Sequence, residues 1–76
     1  MNPAEMAAAC VVAMSHGHNS ITLVKDRRHK LPKGFPVGER VSDLSMDESV
    51  YRYNAERVLA WLMKKQLVTA QVNPTE

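Results

Sequence analysis

The sequence has one cysteine and no apolar run near the ~20 residues that a membrane-spanning helix requires. A lone Cys10 excludes an internal disulfide, and with it the class of disulfide-stapled secreted mini-proteins. Residues 1–5 contain no basic group ahead of an apolar stretch, so a signal peptide is not expected. These features predict a protein of the reducing cytoplasm, with no membrane partner.

The chain has 76 residues, enough for one domain at most. A domain of this size buries only ~60% of the surface that its unfolded chain exposes, so its core is small. Hydrophobic residues make up 45% and charged residues 24%, which is typical of a folded domain. We expect a single domain over residues 1–72 and a frayed tail over residues 73–76. A binding protein is favoured over an enzyme, because little room remains for a substrate pocket.

Charge is distributed in two blocks. Between residues 20 and 40, six basic side chains stand against two acidic ones, whereas residues 41–56 carry four acids and one arginine. A compact basic segment favours phosphate binding, and a solvated charged turn is the alternative that stays open. The six basic residues are Lys25, Arg27, Arg28, Lys30, Lys33 and Arg40.

Both ends of the chain carry helix signals. Asn2 can cap a first helix that has Pro3 in its first turn and Glu5 at the capping-box position. Gly17 predicts the end of this helix, and Asn54 predicts the cap of the last one. The predicted buried faces comprise Met6, Cys10, Ala13 and Met14 in the first helix and Ala55, Val58, Leu59, Leu62 and Met63 in the last.

The segment after the first helix permits two interpretations. The spacing of Ile21 and Val24 fits one face of a helix over residues 19–28, and we favour that helix. Alternation of Ile21 and Leu23 with Thr22, in a stretch rich in β-branched residues, fits a short strand equally well.

The middle of the chain is irregular and then extended. Residues 31–38 cannot form regular structure, because proline and glycine alternate at positions 32, 34, 36 and 38. Phe35 is predicted to pin this loop to the core. Strands are predicted from residue 38 and over residues 50–53, with a polar turn between them. Trp61 and the methionines are predicted to fill the core.

Together these elements predict an α+β fold: two helices, a Pro/Gly loop, a two-stranded hairpin and a C-terminal helix. Residues 27–62 resemble the MerR-type winged helix-turn-helix domain of AlpA-like regulators and phage excisionases, and are similar in the same way to the DNA-binding domain of phage terminase small subunits. The segments that carry the resemblance are VKDRR (24–28), GFP (34–36), ERV (39–41), VYRY (50–53) and VLAWL (58–62).

The resemblance implies a small protein of a phage or mobile element that binds and bends a specific double-stranded DNA site. It would then regulate transcription or recruit a recombinase, with weak or DNA-dependent self-association. Ser20, Thr22 and Lys25 would contact base edges from the recognition helix. Phosphates would be held by Arg27, Arg28, Lys30, Lys33 and Arg40.

A second hypothesis is that the chain is a small phage protein that binds and modulates another protein through its acidic hairpin, residues 43–48. A strand over residues 20–25 in place of the recognition helix would favour it, because the helix-turn-helix would then be lost. No catalytic residue, cofactor or metal is predicted. Ser15 and His16 lack a third orienting group, and His16, His18, His29 and Cys10 lack zinc-site spacing.

Overall fold

The computed structural model describes residues 2–68 of the chain. The predicted end of the domain at residue 72 and the predicted tail at residues 73–76 lie outside this range. Two helices and a three-stranded antiparallel sheet confirm the α+β class. In chain order the elements are α1 (Pro3–Ser15), β1 (Ser20–Asp26), β2 (Glu39–Asp43), β3 (Glu48–Asn54) and α2 (Ala55–Lys64).

The favoured second helix is wrong, because residues 20–26 form strand β1. This strand pairs antiparallel with β3 along its whole length, from Ser20 opposite Asn54 to Asp26 opposite Glu48. The β-branched side chains of this stretch lose rotamer freedom in a helix and pack well on a pleated surface. The recognition helix expected from the resemblance is therefore absent from the described part of the chain, which has the order helix, three strands, helix.

The sheet has the strand order β1-β3-β2, so β3 is the central strand. The hairpin of β2 and β3 was predicted, and it is interrupted by a bulge between Arg40 and Ser42. Ile21 lies opposite Tyr53, and both side chains belong to the core. Because side chains alternate along a strand, they define a helix-covered face of the sheet. The other face, the open face, carries Thr22 and Val24.

The helix ends follow the sequence signals. The side chain of Asn2 accepts a hydrogen bond from the Glu5 amide at 2.9 Å, and Asn54 accepts one from the Arg57 amide at the same distance. Gly17 follows α1 with φ of +81°, a conformation that glycine adopts without strain. These residues set where α1 begins and ends and where α2 begins after β3.

The core lies between the two helices and the helix-covered face. Phe35 packs edge-on against Tyr53, with 5.7 Å between ring centroids, and against Trp61, with 5.0 Å, so the loop is pinned as predicted. A Cβ atom at Gly38 would overlap the Tyr53 ring, so the loop passes directly over the core at this glycine. The buried apolar residues are Met6, Ala7, Cys10, Ile21, Tyr53, Ala55, Val58 and Leu62.

Candidate functional site

The residues predicted to read DNA bases do not share one surface. Ser20 and Thr22 lie on the open face of β1, whereas Lys25 is on the helix-covered side of the same strand, opposite Ser49. The strand separates them, so the structure brings no base-reading set together.

Three of the predicted phosphate-binding arginines have carboxylate neighbours. Arg27 Nη2 lies 2.9 Å from Asp43 Oδ1, and Arg40 Nη1 lies 3.8 Å from the same oxygen. Arg28 Nη2 lies 3.0 Å from Asp26 Oδ2. A phosphate that approached these arginines would have to compete with carboxylates that they already contact.

The lysines of the same segment are placed differently. Lys30 and Lys33 are exposed on the loop between β1 and β2 and form no ion pair with any residue in the range 2–68. Lys25 Nζ lies 5.3 Å from the centroid of the Tyr51 ring, within the range of a cation–π contact. The loop lysines are therefore the cations best placed to meet an external anion.

A buried serine links the basic loop to the base of the hairpin. Ser49 is fully buried; its hydroxyl donates to Asp43 Oδ1 at 2.7 Å and accepts from Arg27 Nε at 3.2 Å. The hydrogen bond from Ser49, assisted by Arg27, holds the pKa of the Asp43 carboxyl below its usual value. No local pattern predicted this cluster, because its three members come from separate parts of the chain.

The turn of the hairpin, residues 43–48, is referred to below as the hairpin tip. Ser45 Oγ accepts hydrogen bonds from the amides of Asp47 at 3.2 Å and Glu48 at 3.1 Å. The Leu44 amide donates to the Glu48 carbonyl at 3.0 Å, and the Arg27 amide donates to the Asp47 carbonyl at 2.7 Å. Hydrogen bonds within the turn and from Arg27, the residue after β1, thus support the conformation of the hairpin tip.

The hairpin tip presents apolar side chains among acids. Leu44 is 60% exposed and Met46 is 88% exposed, so the prediction that the methionines fill the core is wrong for Met46. It is also wrong for Met63, which was predicted on the buried face of the last helix and is 36% exposed. Asp43, Asp47 and Glu48 surround Leu44 and Met46 and are also exposed. Two apolar residues within an acidic turn were the sequence signal for this surface, of which only the charge entered the prediction.

An apolar groove of about 560 Å³ lies between the loop and the ends of the two helices. Its rim carries both signs of charge, from Lys25 and Lys30 and from Asp26 and Glu48, and its interior suits an apolar side chain. Within residues 2–68, no group of three or more His, Cys, Asp or Glu side chains is placed to hold a metal ion. The apolar lining includes Met6, Leu23, Phe35, Tyr53, Trp61 and Leu62.

Comparison with known proteins gives no relative from which a function could be carried over. No family model, no curated protein and no solved structure matches the chain. Neither helix in the described part of the chain has the length and apolar character needed to cross a bilayer. The surfaces available for a functional proposal are thus the hairpin tip, the basic loop and the uncovered parts of the sheet and of α1.

The contact between Asp26 and Arg28 makes stability depend on pH in the acid range. Arg28 bonds both carboxylate oxygens, at 3.2 and 3.0 Å, and lowers the pKa of Asp26 from 3.8 to about 2. The unfolded state binds the proton more readily, so the contribution is fully present above pH 3.8 and is lost as pH falls through about 2.

We expect the melting temperature of the wild type to fall more than that of Asp26→Asn between pH 5 and pH 2, because only the wild type loses an ionised partner for Arg28. Circular dichroism melts of both chains at pH 5, 3 and 2 measure this difference. A gap between the two melting temperatures that stays constant over this range would show that the contact adds no stability.

Proposed function

We propose that this protein binds and modulates another protein through its hairpin tip, as an inhibitor or assembly factor. The observation that carries the proposal is the exposure of Met46, at 88%, at the apex of an ordered acidic turn. Isolated exposed apolar residues are common on proteins. Here two of them project from a turn that hydrogen bonds hold in place, and that combination is typical of a binding loop.

Apolar burial and charge both favour binding at the hairpin tip. Leu44 and Met46 lie exposed in the free protein, and each would gain roughly 1.5–3 kcal/mol on full burial against a partner. The carboxylates of Asp47 and Glu48, which form no ion pair within residues 2–68, would steer the hairpin tip towards a basic rim. Because the turn is already ordered, binding would cost little backbone entropy.

The strand at residues 20–26 also supports this function over DNA binding. It removes the element that would have entered a major groove, and the acidic hairpin tip would be repelled by phosphate.

The compartment proposed for this activity is the reducing cytoplasm, where the free, fully buried thiol of Cys10 would stay reduced.

Site-specific photo-crosslinking in the source cells tests the proposal. A photoreactive residue placed at Met46 is expected to yield a discrete adduct with a protein, identifiable by mass spectrometry. The matched position is Lys33, which is exposed on the basic loop away from the hairpin tip, and it is expected to give no such adduct. A protein adduct from Lys33 but none from Met46 would refute the proposal.

Double-stranded DNA is a second candidate partner, in the manner of excisionases and AlpA-like regulators that mark a site and recruit a recombinase. Its support is the pair of exposed lysines, Lys30 and Lys33, which form no ion pair within residues 2–68. Added to Arg27, Arg28 and Arg40, they would contact four to six phosphates, and the salt slope of binding would be roughly −4 to −5.

Fluorescence anisotropy with a mixed-sequence duplex at several salt concentrations tests this second function. Replacing Lys30 and Lys33 with alanine is expected to reduce the slope by about two units, because each phosphate contact contributes roughly 0.9. If the duplex does not bind at low salt, this candidate function is excluded.

A further inference from the structure

One edge of the sheet carries unpaired backbone groups. At the two ends of the β1–β3 pairing, the Ala55 amide donates to the Asn19 carbonyl at 2.9 Å and the Arg27 amide donates to the Asp47 carbonyl at 2.7 Å. Bonded pairs recur at every second residue of an antiparallel ladder, so the odd-numbered residues of β1 bond β3. The N–H and C=O groups of the even-numbered residues therefore point away from the sheet.

Among these outward groups, the Asp26 carbonyl accepts a bond from the His29 amide at 2.9 Å. The outward N–H and C=O groups of Ser20, Thr22 and Val24 have no backbone partner within residues 2–68, because β1 pairs with β3 alone. This edge, referred to below as the β1 edge, contains no proline and no bulge. Prolines and bulges commonly prevent one sheet from pairing with another. The charged residues of the β1 edge are Lys25, whose Nζ lies over the Tyr51 ring of the same molecule, and Asp26 at the end of the strand.

The opposite edge of the sheet is protected. All five residues of strand β2 are exposed, although the strand pairs with β3. It is interrupted by the bulge between Arg40 and Ser42, and it begins and ends in charged residues. Bulges and charges of this kind disfavour further strand pairing. The described part of the chain therefore has one edge open to pairing, which permits a closed pair of molecules rather than an open fibre.

Helix α1 places an apolar surface beside the β1 edge. An open groove of about 500 Å³ separates the two, lined on the helix by alanines and by Val12, which is 56% exposed. Glu5 is the only charged residue within Pro3–Ser15. A helix that is apolar on nearly all sides is typically covered on more than one side. The helix residues of this groove are Ala8, Ala9, Val12, Ala13 and His16.

We propose that a second copy of this chain occupies the β1 edge, with β1 of each copy pairing antiparallel to the other across a two-fold axis at Leu23. A two-fold axis perpendicular to the sheet keeps the helix-covered faces on the same side, so it must pass through a residue position. In this register Thr22 lies opposite Val24 of the partner subunit. Their outward groups form four backbone hydrogen bonds, and the two sheets become one sheet of six strands.

Side-chain pairing in this register is compatible with the charges. Lys25 lies opposite Ile21 of the partner subunit, and Asp26 lies opposite the partner's Ser20, so no like charges face each other directly. The two α1 helices lie next to each other on the same side of the joined sheet. Their small alanine side chains permit close approach, and Val12 of each copy is buried in the contact.

The mass and amide exchange of the full chain test the proposal. Sedimentation velocity at about 100 µM is expected to give twice the chain mass of 8.5 kDa. The amides of Thr22 and Val24 are expected to exchange with solvent about 100-fold more slowly than they do in the same chain diluted to a concentration at which it is monomeric. A monomer at this concentration, or rapid exchange of these two amides in a dimer, would overturn the proposal.

A matched pair of substitutions at Val24 distinguishes loss of pairing at the β1 edge from loss of folding. Val24→Pro removes an outward N–H that β3 does not use, so we expect a folded monomer. Val24→Thr keeps both the N–H and the β-branched shape, so we expect a dimer. A Val24→Pro chain that still dimerises would contradict the register. If that variant fails to fold by circular dichroism, the exchange rates of Thr22 and Val24 in the wild type decide the question.

Discussion

Replacing Leu44 and Met46 together with serine is expected to weaken binding of the crosslinked partner by about 100-fold or more. Each side chain would lose about 1.5–2 kcal/mol of apolar burial, and every 1.4 kcal/mol corresponds to a tenfold change in affinity. Both are exposed in the free protein, at 60% and 88%, so the fold has little to lose. Isothermal titration of the purified partner measures the change.

A matched control for this double variant is Val37→Ser. Val37 is 94% exposed but lies on the basic loop, outside the hairpin tip. We expect this variant to bind the partner with unchanged affinity, and we expect both variants to melt at the wild-type temperature. An affinity within about threefold of wild type for the double variant, a difference of ~0.7 kcal/mol, would show that the partner is held elsewhere.

Replacing Leu62 with alanine is expected to destabilise the fold by about 2–5 kcal/mol. Leu62 is 2% exposed and packs in the core beneath the sheet, so its removal leaves a cavity. A domain of this length has a total stability of roughly 4–11 kcal/mol, so a large share is lost. Urea unfolding followed by circular dichroism measures the change in the free energy of unfolding.

Met63→Ala is the matched control for Leu62, because it lies on the same helix but is 36% exposed. Both substitutions introduce the same residue with the same helix propensity, so the difference between them reports burial. We expect Met63→Ala to cost less than about 1 kcal/mol. Equal costs at the two positions would contradict the packing of α2 against the sheet.

The sequence predicted the elements that are determined by local chemistry. Asn2 and Asn54 cap their helices because a side-chain oxygen there satisfies an amide three residues later. The Pro/Gly loop and the pinning of Phe35 followed from residues with restricted backbones and from one aromatic side chain among them. The caps depend on an amide three residues away, and the pinning of Phe35 requires only some apolar core to pack against.

Strand β1 could not be settled in this way. The pattern from Ile21 to Val24 fits both a helix and a strand, and the choice depends on pairing with β3, which is distant in sequence. Long-range pairing of this kind overrides local preference. The strand was open as an alternative, and its presence removes the structural basis for a recognition helix.

The candidate site was predictable in composition but not in contacts. Charge counting located the basic and acidic segments, yet it could not show that Arg27 meets Asp43 or that Ser49 joins them. Ser49 lies 22 residues from Arg27, and only the sheet register brings them together. Those contacts neutralise part of the basic segment and leave the hairpin tip as the most distinctive surface.

The most direct test of the account is a nitrogen-15 NMR titration of the labelled full chain with the partner found by crosslinking. We predict that amide resonances of the hairpin tip, residues 43–48, shift or broaden first, while those of Lys30 and Lys33 on the basic loop stay unchanged. Shifts confined to the basic loop, with the hairpin tip unaffected, would contradict the proposed function.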